Sequence, residues 1–576
     1  MKVPKGLLFF LLVISLVTVK VAPNELQRAL FFVDSAATAG LTATNVFGGV
    51  AQKRYLLETT GCGVAFIDYD RDGWVDLFVV NGRRFDDSLQ PPPTSHLYRN
   101  TGQEKLTDVT EAAGLTYSGW GQGACVADYD NDGYDDLFVT YYGKNKLYHN
   151  NHGSSFSDLA ERAGVAGGGG RWNTGCAFLD YDRDGWVDLF VANYVDLGLD
   201  LSNLPSPGSG QFCQYKGIPL ACGPRGLKKA VNHLYRNNRD GTFSDESDAA
   251  GIRQTEGHYS LGVVPFDFNQ DGWPDIYVAC DSAPSILYQN NKNGTFKDVG
   301  FPSGTSFNED GEAQAGMGVA VADCNHDGYF DLLKTNFADD SPNLYLNSGD
   351  GTFSDRVFRS GLGRRRSFLG WGVLFLDYDN DGWSDILMVN GHLSPEVDVP
   401  GIESKYRQRK LLYRNQQDGT FQDVSTVSGP GLTALHSSRG AAVADLGNDG
   451  RLAVAVNEMN EAPTLLTLQG QESGHWIGIR LSGTKSNRSA LGARVEVQAG
   501  NLKQIDEVRS GGSYLSQSDL RLHFGLGKNR KIDRIIVHWP SGVADELQDV
   551  IPDQPIVIEE GTSAWKAAES KKRAVD

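Results

Sequence analysis

Between residues 60 and 470 the apolar residues come in short runs broken by polar turns. No segment there keeps a 3.6-residue period across two helical turns. β-Branched and aromatic residues fill the runs, as in "DLFVV" from Asp76 and "DLFVT" from Asp136, and Gly, Asn and Asp mark their ends. This pattern predicts short strands, about four to each unit of roughly 55 residues. From residue 475 the pattern changes. "WIGIRL", "ARVEVQ" and "RIIVHW" alternate apolar and polar positions between Gly-rich turns, predicting a separate small β domain over residues 475–560. Residues 561–576 form a polar tail with no such pattern, expected to be loose.

The strand pattern is a repeat. "DYDRDGWVD" starts at Asp68, "DYDNDGYDD" at Asp128, "DYDRDGWVD" again at Asp180, "DFNQDGWPD" at Asp267, "DCNHDGYFD" at Asp323 and "DYDNDGWSD" at Asp377. A seventh, degraded copy, "DLGNDGRLA", starts at Asp445. The spacings are 60, 52, 87, 56, 54 and 68 residues, and the long one holds an insertion over about residues 196–230. An "LYxN"-type strand follows each full motif, and a "GTFxD"-type strand follows that. The missing last strand lies at the other end of the chain, where "FFVDSAATAGL" from Phe31 resembles "KLTDVTEAAGL" from Lys105. A permuted start suits a closed ring, because the first strand completes the last sheet and leaves no open edge. Residues 32–470 therefore predict an all-β, seven-bladed β-propeller closed by an N-terminal strand, followed by a small β-sandwich-like domain.

Each full motif places oxygen-bearing side chains at positions 1, 3, 5 and 9, with Gly at position 6 for a sharp turn. The candidate metal ligands are Asp68, Asp70, Asp72 and Asp76; Asp128, Asp130, Asp132 and Asp136; and Asp180, Asp182, Asp184 and Asp188. The later copies supply Asp267, Asn269, Asp271 and Asp275; Asp323, Asn325, Asp327 and Asp331; and Asp377, Asp379, Asp381 and Asp385. Many hard oxygen donors in a flexible loop are what Ca2+ takes. An EF-hand is excluded, since position 12 is Val79 in the first copy and Val139 in the second, and strands follow. Carboxylates this close repel by about 4 kcal/mol per pair at 4 Å and an effective dielectric near 20, a penalty a divalent cation removes. Six Ca2+ sites are expected, and a weak or absent one at Asp445, where Gly447 and Ala453 replace ligands. One site per blade argues for structural stapling rather than catalysis. His326, at position 4 of its loop, is expected to face solvent.

Composition narrows the class. The 576 residues carry 53 basic and 72 acidic side chains, a net charge of −19, which disfavours nucleic acid and anionic membranes as partners. Gly6 to Val19 form an apolar run behind Lys2 and Lys5, of signal-peptide length, so residues 1–22 predict export or an uncleaved anchor. Membrane contact is expected only through that segment. Of seven cysteines, Cys213 and Cys222 share a Gly/Pro-rich loop and predict a disulfide, whereas Cys62, Cys125 and Cys176 read as buried small apolar residues. Asn293 and Asn487 open N-glycosylation sequons, relevant only in a eukaryotic host.

The "DxDxDGxxDLFV" motif with "LYRN" and "GTFxD" resembles the FG-GAP/VCBS repeats, also found in integrin α-chain propellers. "HWIGIRLSGTKSNRSALGARVEVQAG" from His475, "GGSYLSQSDLRLHFGLG" from Gly511 and "IIVHWPSG" from Ile535 resemble the ASPIC and UnbV domain that ends the cartilage acidic protein family and its bacterial relatives. "CQYKGIPLACGPRGL" is similar to an insertion in those relatives. The resemblance implies an exported, calcium-binding protein, secreted or periplasmic, that contacts an extracellular protein or glycan surface, and no established reaction. The stretches before each motif offer a ligand rim: Trp120, Gln122, Arg171, Trp172, Asn173, His258, Tyr259, Gln314 and Trp371. Aromatic, amide and Arg groups suit a sugar or peptide, and packing of the blade ends is the competing reading. No catalytic residue emerges. The alternative function is a propeller-scaffold enzyme, a lyase or hydrolase acting on polysaccharide.

Overall fold

The computed structural model describes residues 30–568, apart from 87–88, 103–104, 199–212, 255–256 and 472–473. The predicted signal or anchor segment, part of the insertion and residues 569–576 lie outside the described residues.

The repeat builds four-stranded antiparallel units. In the first, Val64–Ile67, Asp76–Val79, His96–Asn100 and Leu106–Asp108 pair in chain order. The next six begin with the inner strands Trp120–Ala127, Arg171–Leu179, Ser260–Phe266, Gly316–Ala322, Gly370–Leu376 and Ser438–Ala444. The last unit is completed by Phe31–Asp34, which pairs antiparallel with Thr464–Gln469 from Phe31↔Gln469 to Asp34↔Leu466. Each inner strand contacts the next, and the last contacts the first, so the units close into a β-propeller. Nearly every inner-strand residue is buried.

A glycine lies five residues before every motif: Gly63, Gly123, Gly175, Gly262, Gly318, Gly372 and Gly440. None has a positive φ. Their role is close approach. A Cβ at Gly175 would overlap the Leu261 carbonyl, at Gly318 the Trp371 carbonyl and at Gly440 the Cys62 carbonyl, each on the next unit. The ring tapers to the channel only because these seven positions carry no side chain.

The C-terminal domain has two four-stranded sheets. One runs Leu522–Gly527, His475–Ser482, Gln554–Glu559, Trp565–Ala567; the other runs Leu502–Glu507, Arg494–Ala499, Ile532–His538, Ala544–Val550. Ile477, Ile479, Val495, Val497, Ile535, Val537, Ile556 and Ile558 are buried between them. The expected loose tail is corrected in part. Trp565–Ala567 is an edge strand on Gln554–Glu559, and Asp545 accepts hydrogen bonds from the Gly561 and Ser563 backbone, so the domain runs past residue 560.

The segment from Ser510 to Asp519 leaves this domain and enters the propeller channel. Gln517 exchanges backbone hydrogen bonds with Val64 and Phe66, Leu515 accepts one from Ala124, Gly512 donates to Val263, and Ser513 accepts one from Val319. Tyr514 sits edge-on to Trp371, ring centroids 4.7 Å apart, and both are buried. The segment thus plugs one end of the channel through inner strands of four units.

Candidate functional site

The nine-residue motifs form the turns between the first and second strands of each unit, all on one propeller face. Within each full copy, position 1 caps the loop. The Asp128 carboxylate accepts from the Asp132 and Gly133 amides at 3.0 and 2.7 Å, and Asp377 does the same for Asp381 and Gly382. Position 9 ties the loop to the third strand, as Asp136 Oδ1 accepts from Asn150 N at 2.7 Å. Carboxylate oxygens of Asp68, Asp70 and Asp76 lie within 4.8 Å of one another, as do those of Asp128, Asp130 and Asp132, of Asp180, Asp182 and Asp188, and of Asp377, Asp379 and Asp385. In the fourth and fifth copies Asn269 and Asn325 stand at position 3, and the Asn325 amide donates to Asp327 at 2.9 Å. The degraded copy keeps its turn, because Asp445 still caps the Asp449 and Gly450 amides, but Gly447 and Ala453 leave positions 3 and 9 without an oxygen.

Position 4 turns sideways along the ring, with Arg71 and Gln270 still exposed and the other five partly or fully buried. All seven such residues have left-handed φ, from Asn448 at 50° to Asn131 at 58°, and they reach the following loop. Arg71 lies over the Tyr134 ring, Asn131 donates to the Gly185 carbonyl, Arg183 lies over Trp273, and Gln270 donates to the Gly328 carbonyl. Asn380 donates to the Gly450 carbonyl, and Asn448 closes the circle on the Gly73 carbonyl. His326, expected in solvent, instead stacks on Trp383 at 3.9 Å, since its left-handed backbone turns the ring sideways. The Asn of each "LYxN" strand reaches the opposite way. Asn150 donates to the Tyr69 carbonyl, Asn237 to Tyr129, Asn347 to Phe268 and Asn100 to Leu446.

The loops are electrostatically loaded. Burial, followed by neighbouring carboxylates, pushes Asp128 up to about 8 and Asp180 to about 7, and lifts Asp188, Asp377 and Asp385 well above the ordinary range. Where position 3 is Asp, a basic side chain from the third strand meets it: Arg99 on Asp70 at 2.7 Å, His149 on Asp130 at 3.3 Å, Arg236 on Asp182 at 2.8 Å and Arg414 on Asp379 at 2.7 Å. Where position 3 is Asn, the equivalent residues are the neutral Gln289 and Leu346. Counting only the four ligand positions and the facing arginine, the first, third and sixth sites carry a formal charge of −3, and so do the fourth and fifth, which have no such arginine. One buried oxygen in the third loop, Asp182 Oδ1, and two in the sixth, Asp379 Oδ1 and Asp385 Oδ2, have no hydrogen-bond partner among the described residues. Inward acceptors of this kind, in an acidic oxygen cluster, fit a hard cation.

The C-terminal domain rests on this face. Arg480 reaches Asp68 at 3.2 Å, Ser489 Oγ accepts from the Asp128 amide at 2.9 Å, and Arg183 donates to the Pro540 carbonyl at 2.6 Å. His523 Nε2 lies 2.6 Å from Asn380 Oδ1, and Arg521 donates to the Asp445 carbonyl at 3.0 Å.

Two disulfides are present. Cys213 and Cys222 are bridged, with Cα atoms 4.9 Å apart. Cys125 and Cys176 are bridged too, Cα atoms 5.9 Å apart, which corrects their reading as free apolar residues: they face each other from the inner strands of adjacent units. Cys62 is buried and free. Asn293 is exposed, whereas Asn487 is fully buried and donates to the Leu491 carbonyl, so its sequon is inaccessible.

The opposite face is open. A cavity of about 570 Å³ lies over the channel mouth, floored by Trp371, Met317 and Leu261. The hairpin Cys213–Tyr215/Ile218–Leu220 crosses from the third unit to roof it. Tyr215 and Lys216 pin the hairpin to Asp339 of the fifth unit at 2.9 and 2.7 Å, and Tyr215 lies 4.9 Å from the His392 ring of the sixth. Of the rim residues foreseen, Gln314 and Trp371 line the cavity. The others serve packing. Gln122 accepts from Trp172 Nε1 at 3.1 Å, Asn173 donates to the Tyr141 carbonyl at 2.8 Å, and Tyr259 donates to the Leu227 carbonyl at 2.7 Å. Trp120 is buried in the same cluster, Arg171 is half-buried, and burial draws His258 down to about 4.

The fold and the repeated loops together define an FG-GAP-repeat β-propeller with an appended C-terminal β domain. The FG-GAP-like repeat family matches residues 68–139, 128–191, 222–278 and 267–333, and the ASPIC and UnbV family matches residues 483–564. The chain is homologous to cartilage acidic protein 1: it is 25% identical to the Mus musculus protein over 511 residues, 83% of this chain and 70% of that one. To the Homo sapiens protein it is 24% identical, over 83% of this chain and 69% of the other. Among solved structures it is similar to an Agrocybe aegerita lectin specific for non-reducing terminal N-acetylglucosamine, with a TM-score of 0.38, 17% identity, and 72% and 87% of the two chains covered. It is also similar to the BP39L lectin from Burkholderia pseudomallei, with a TM-score of 0.43, 9% identity, and 72% and 98% covered. Among the described residues no helix is long and apolar enough to cross a membrane.

Proposed function

We propose that this chain is an exported calcium-binding propeller that acts outside the cell or in the periplasm as a binding module for a protein or carbohydrate surface. Six Ca2+ ions staple its blade loops. The observation that carries the reading is the polarity of the ring. One face holds the acidic loops, linked in a circle and covered by the C-terminal domain, with partnerless buried oxygens such as Asp379 Oδ1 at their centres. The other face holds the cavity over the channel. A metal beneath a docked domain supports a scaffold, and an open cavity supports recognition. Unfolding the full chain with calcium and after chelation tests the staples, and an unchanged melting temperature after complete calcium removal sinks them. A glycan and protein array probed in both states tests the binding, and a chain that captures nothing in either state overturns it.

The enzyme alternative needs a base in the cavity. The Lys216 amine, paired with Asp339 at its edge, does not supply one. Hydrogen bonding to Asp339 raises the Lys216 pKa, so the amine stays protonated at neutral pH.

A further inference from the structure

The seven units are not equivalent on the free face. Three residues after the Asp of each fourth strand, the first three units carry Glu111, Glu161 and Asp248. The fourth and fifth carry Phe301 and Phe358 there, 77% and 50% exposed, among the few large apolar side chains in solvent. Phe301 meets Phe307 edge-on at 6.0 Å, and Phe307 precedes the loop Asn308–Glu312. That loop lines the cavity, and so does Phe358. Asn308 Oδ1 holds the loop in shape by accepting from the Asp310 and Glu312 amides at 3.1 and 2.8 Å.

The loop presents Glu309, Asp310 and Glu312, exposed and without an ion pair among the described residues. Deeper in the cavity, Asp281 accepts from the Tyr194 hydroxyl, and Asp340 accepts from the Gln314 amide and the Ser341 backbone. Among the described residues only two guanidinium groups, Arg225 and Arg366, line the same space, and Arg366 donates to the Asp339 carbonyl. Within the cavity the fourth–fifth sector therefore joins an exposed aromatic ring, a concave opening and an excess of carboxylate, while Arg359, Arg364 and Arg365 lie outside the lining beside Phe358. Neutral sugars need no such excess of carboxylate, whereas Lys or Arg side chains beside an apolar residue match both halves of the patch.

We propose that this sector is a docking site for a basic polypeptide segment, with its cationic side chains at Glu309, Asp310 and Glu312 and an apolar side chain against Phe358. The proposal rests on the reading of this face as the binding face and names its ligand class.

The test uses the full chain with calcium and three probes followed by calorimetry: a short lysine–leucine peptide, its glutamate–leucine counterpart, and a chitooligosaccharide. The lysine peptide is expected to bind, more weakly as salt rises, and the glutamate peptide is not. The E309Q/D310N/E312Q variant is expected to lose about tenfold in affinity, and F358S about fivefold, both with unchanged melting because the side chains are exposed. The ring control E111Q/E161Q/D248N removes the same charge elsewhere and is expected to bind as the parent does. An equal loss in that control reduces the effect to net charge and overturns the proposal, as does saccharide binding without peptide binding. If the chain captures array ligands regardless of the loop variants, only this inference falls. If it captures nothing, the binding reading falls with it.

Discussion

Gly318→Ala should loosen the ring where the fifth and sixth units meet. Gly318 has ordinary backbone angles, so the substitution carries no φ penalty of its own. Its cost is spatial. The new Cβ would overlap the Trp371 carbonyl oxygen and come within 3.2 Å of Thr335 Oγ1. That hydroxyl donates to the same Trp371 carbonyl at 2.6 Å and accepts from the Gly318 amide at 2.9 Å. Moving the carbonyl aside therefore breaks a bond between units. Trp371 has little room to follow, because Tyr514 packs on it and the Arg439 guanidinium lies 4.1 Å from its ring centroid. Overpacking of this kind costs about 1–3 kcal/mol, and the lost hydrogen bond adds about 0.5–1.5 kcal/mol. The sum is about 1.5–4.5 kcal/mol. Gly223→Ala is the control, since nothing lies within 4 Å of its added Cβ. It should be neutral or stabilise by up to about 1 kcal/mol through the unfolded chain. Denaturant unfolding at fixed calcium, followed by tryptophan fluorescence, separates the two. Coincident midpoints for Gly318→Ala, Gly223→Ala and the parent would refute the close-approach argument.

Without metal, stability should fall as pH rises. Burial and mutual repulsion raise the folded-state values of Asp68 and Asp323 to about 6, of Asp136, Asp180 and Asp331 to about 7, and of Asp128 to about 8. A carboxyl raised in the folded state contributes stability that is fully present below its unfolded value near 4 and is lost as pH rises through 6 to 8. Calcium bound as proposed would reverse the trend, because it takes the deprotonated ligands. Melts at pH 5 and pH 8, with chelator and with calcium, should show the chelated protein weaker at pH 8 and the calcium increment larger there. Each site adds about 2.7 kcal/mol at a hundredfold excess over its dissociation constant. Lys410→Met should destabilise by about 3–5 kcal/mol, since Lys410 and Glu458 pair at 2.9 Å with both side chains fully buried. A midpoint within error of the parent would mean that Glu458 takes up a proton without loss.

The sequence carried more of the ring than a search for acidic motifs takes from it. The aspartates and the permuted first strand were legible because ligand spacing and strand order are local patterns. The "LYxN" asparagine was equally visible, but its role was not: Asn237 reaches the Tyr129 carbonyl 108 residues away, a contact that exists only once the units are ranked in a circle. The glycine five residues ahead of each motif was a usable signal, intact even in the degraded seventh copy, and it counts the units independently of any metal. The Cys125–Cys176 bridge follows from the same geometry, because residues one unit apart, 51 positions in this case, face each other on adjacent inner strands. The channel plug had no such signature. "GGSYLSQSD" reads as a hairpin turn, and only its bonds to Val64, Ala124, Val263 and Val319 reveal where it goes. That plug constrains the function more than the motifs do. It closes the channel from the acidic-loop side, so a ligand entering the channel would have to come from the face of Trp371, Phe358 and the Asn308–Glu312 loop. A calcium dependence of ligand capture would then act through the scaffold, with metal and ligand on opposite faces. It would appear as a change in the fraction of competent protein, and the affinity of that competent fraction would stay the same.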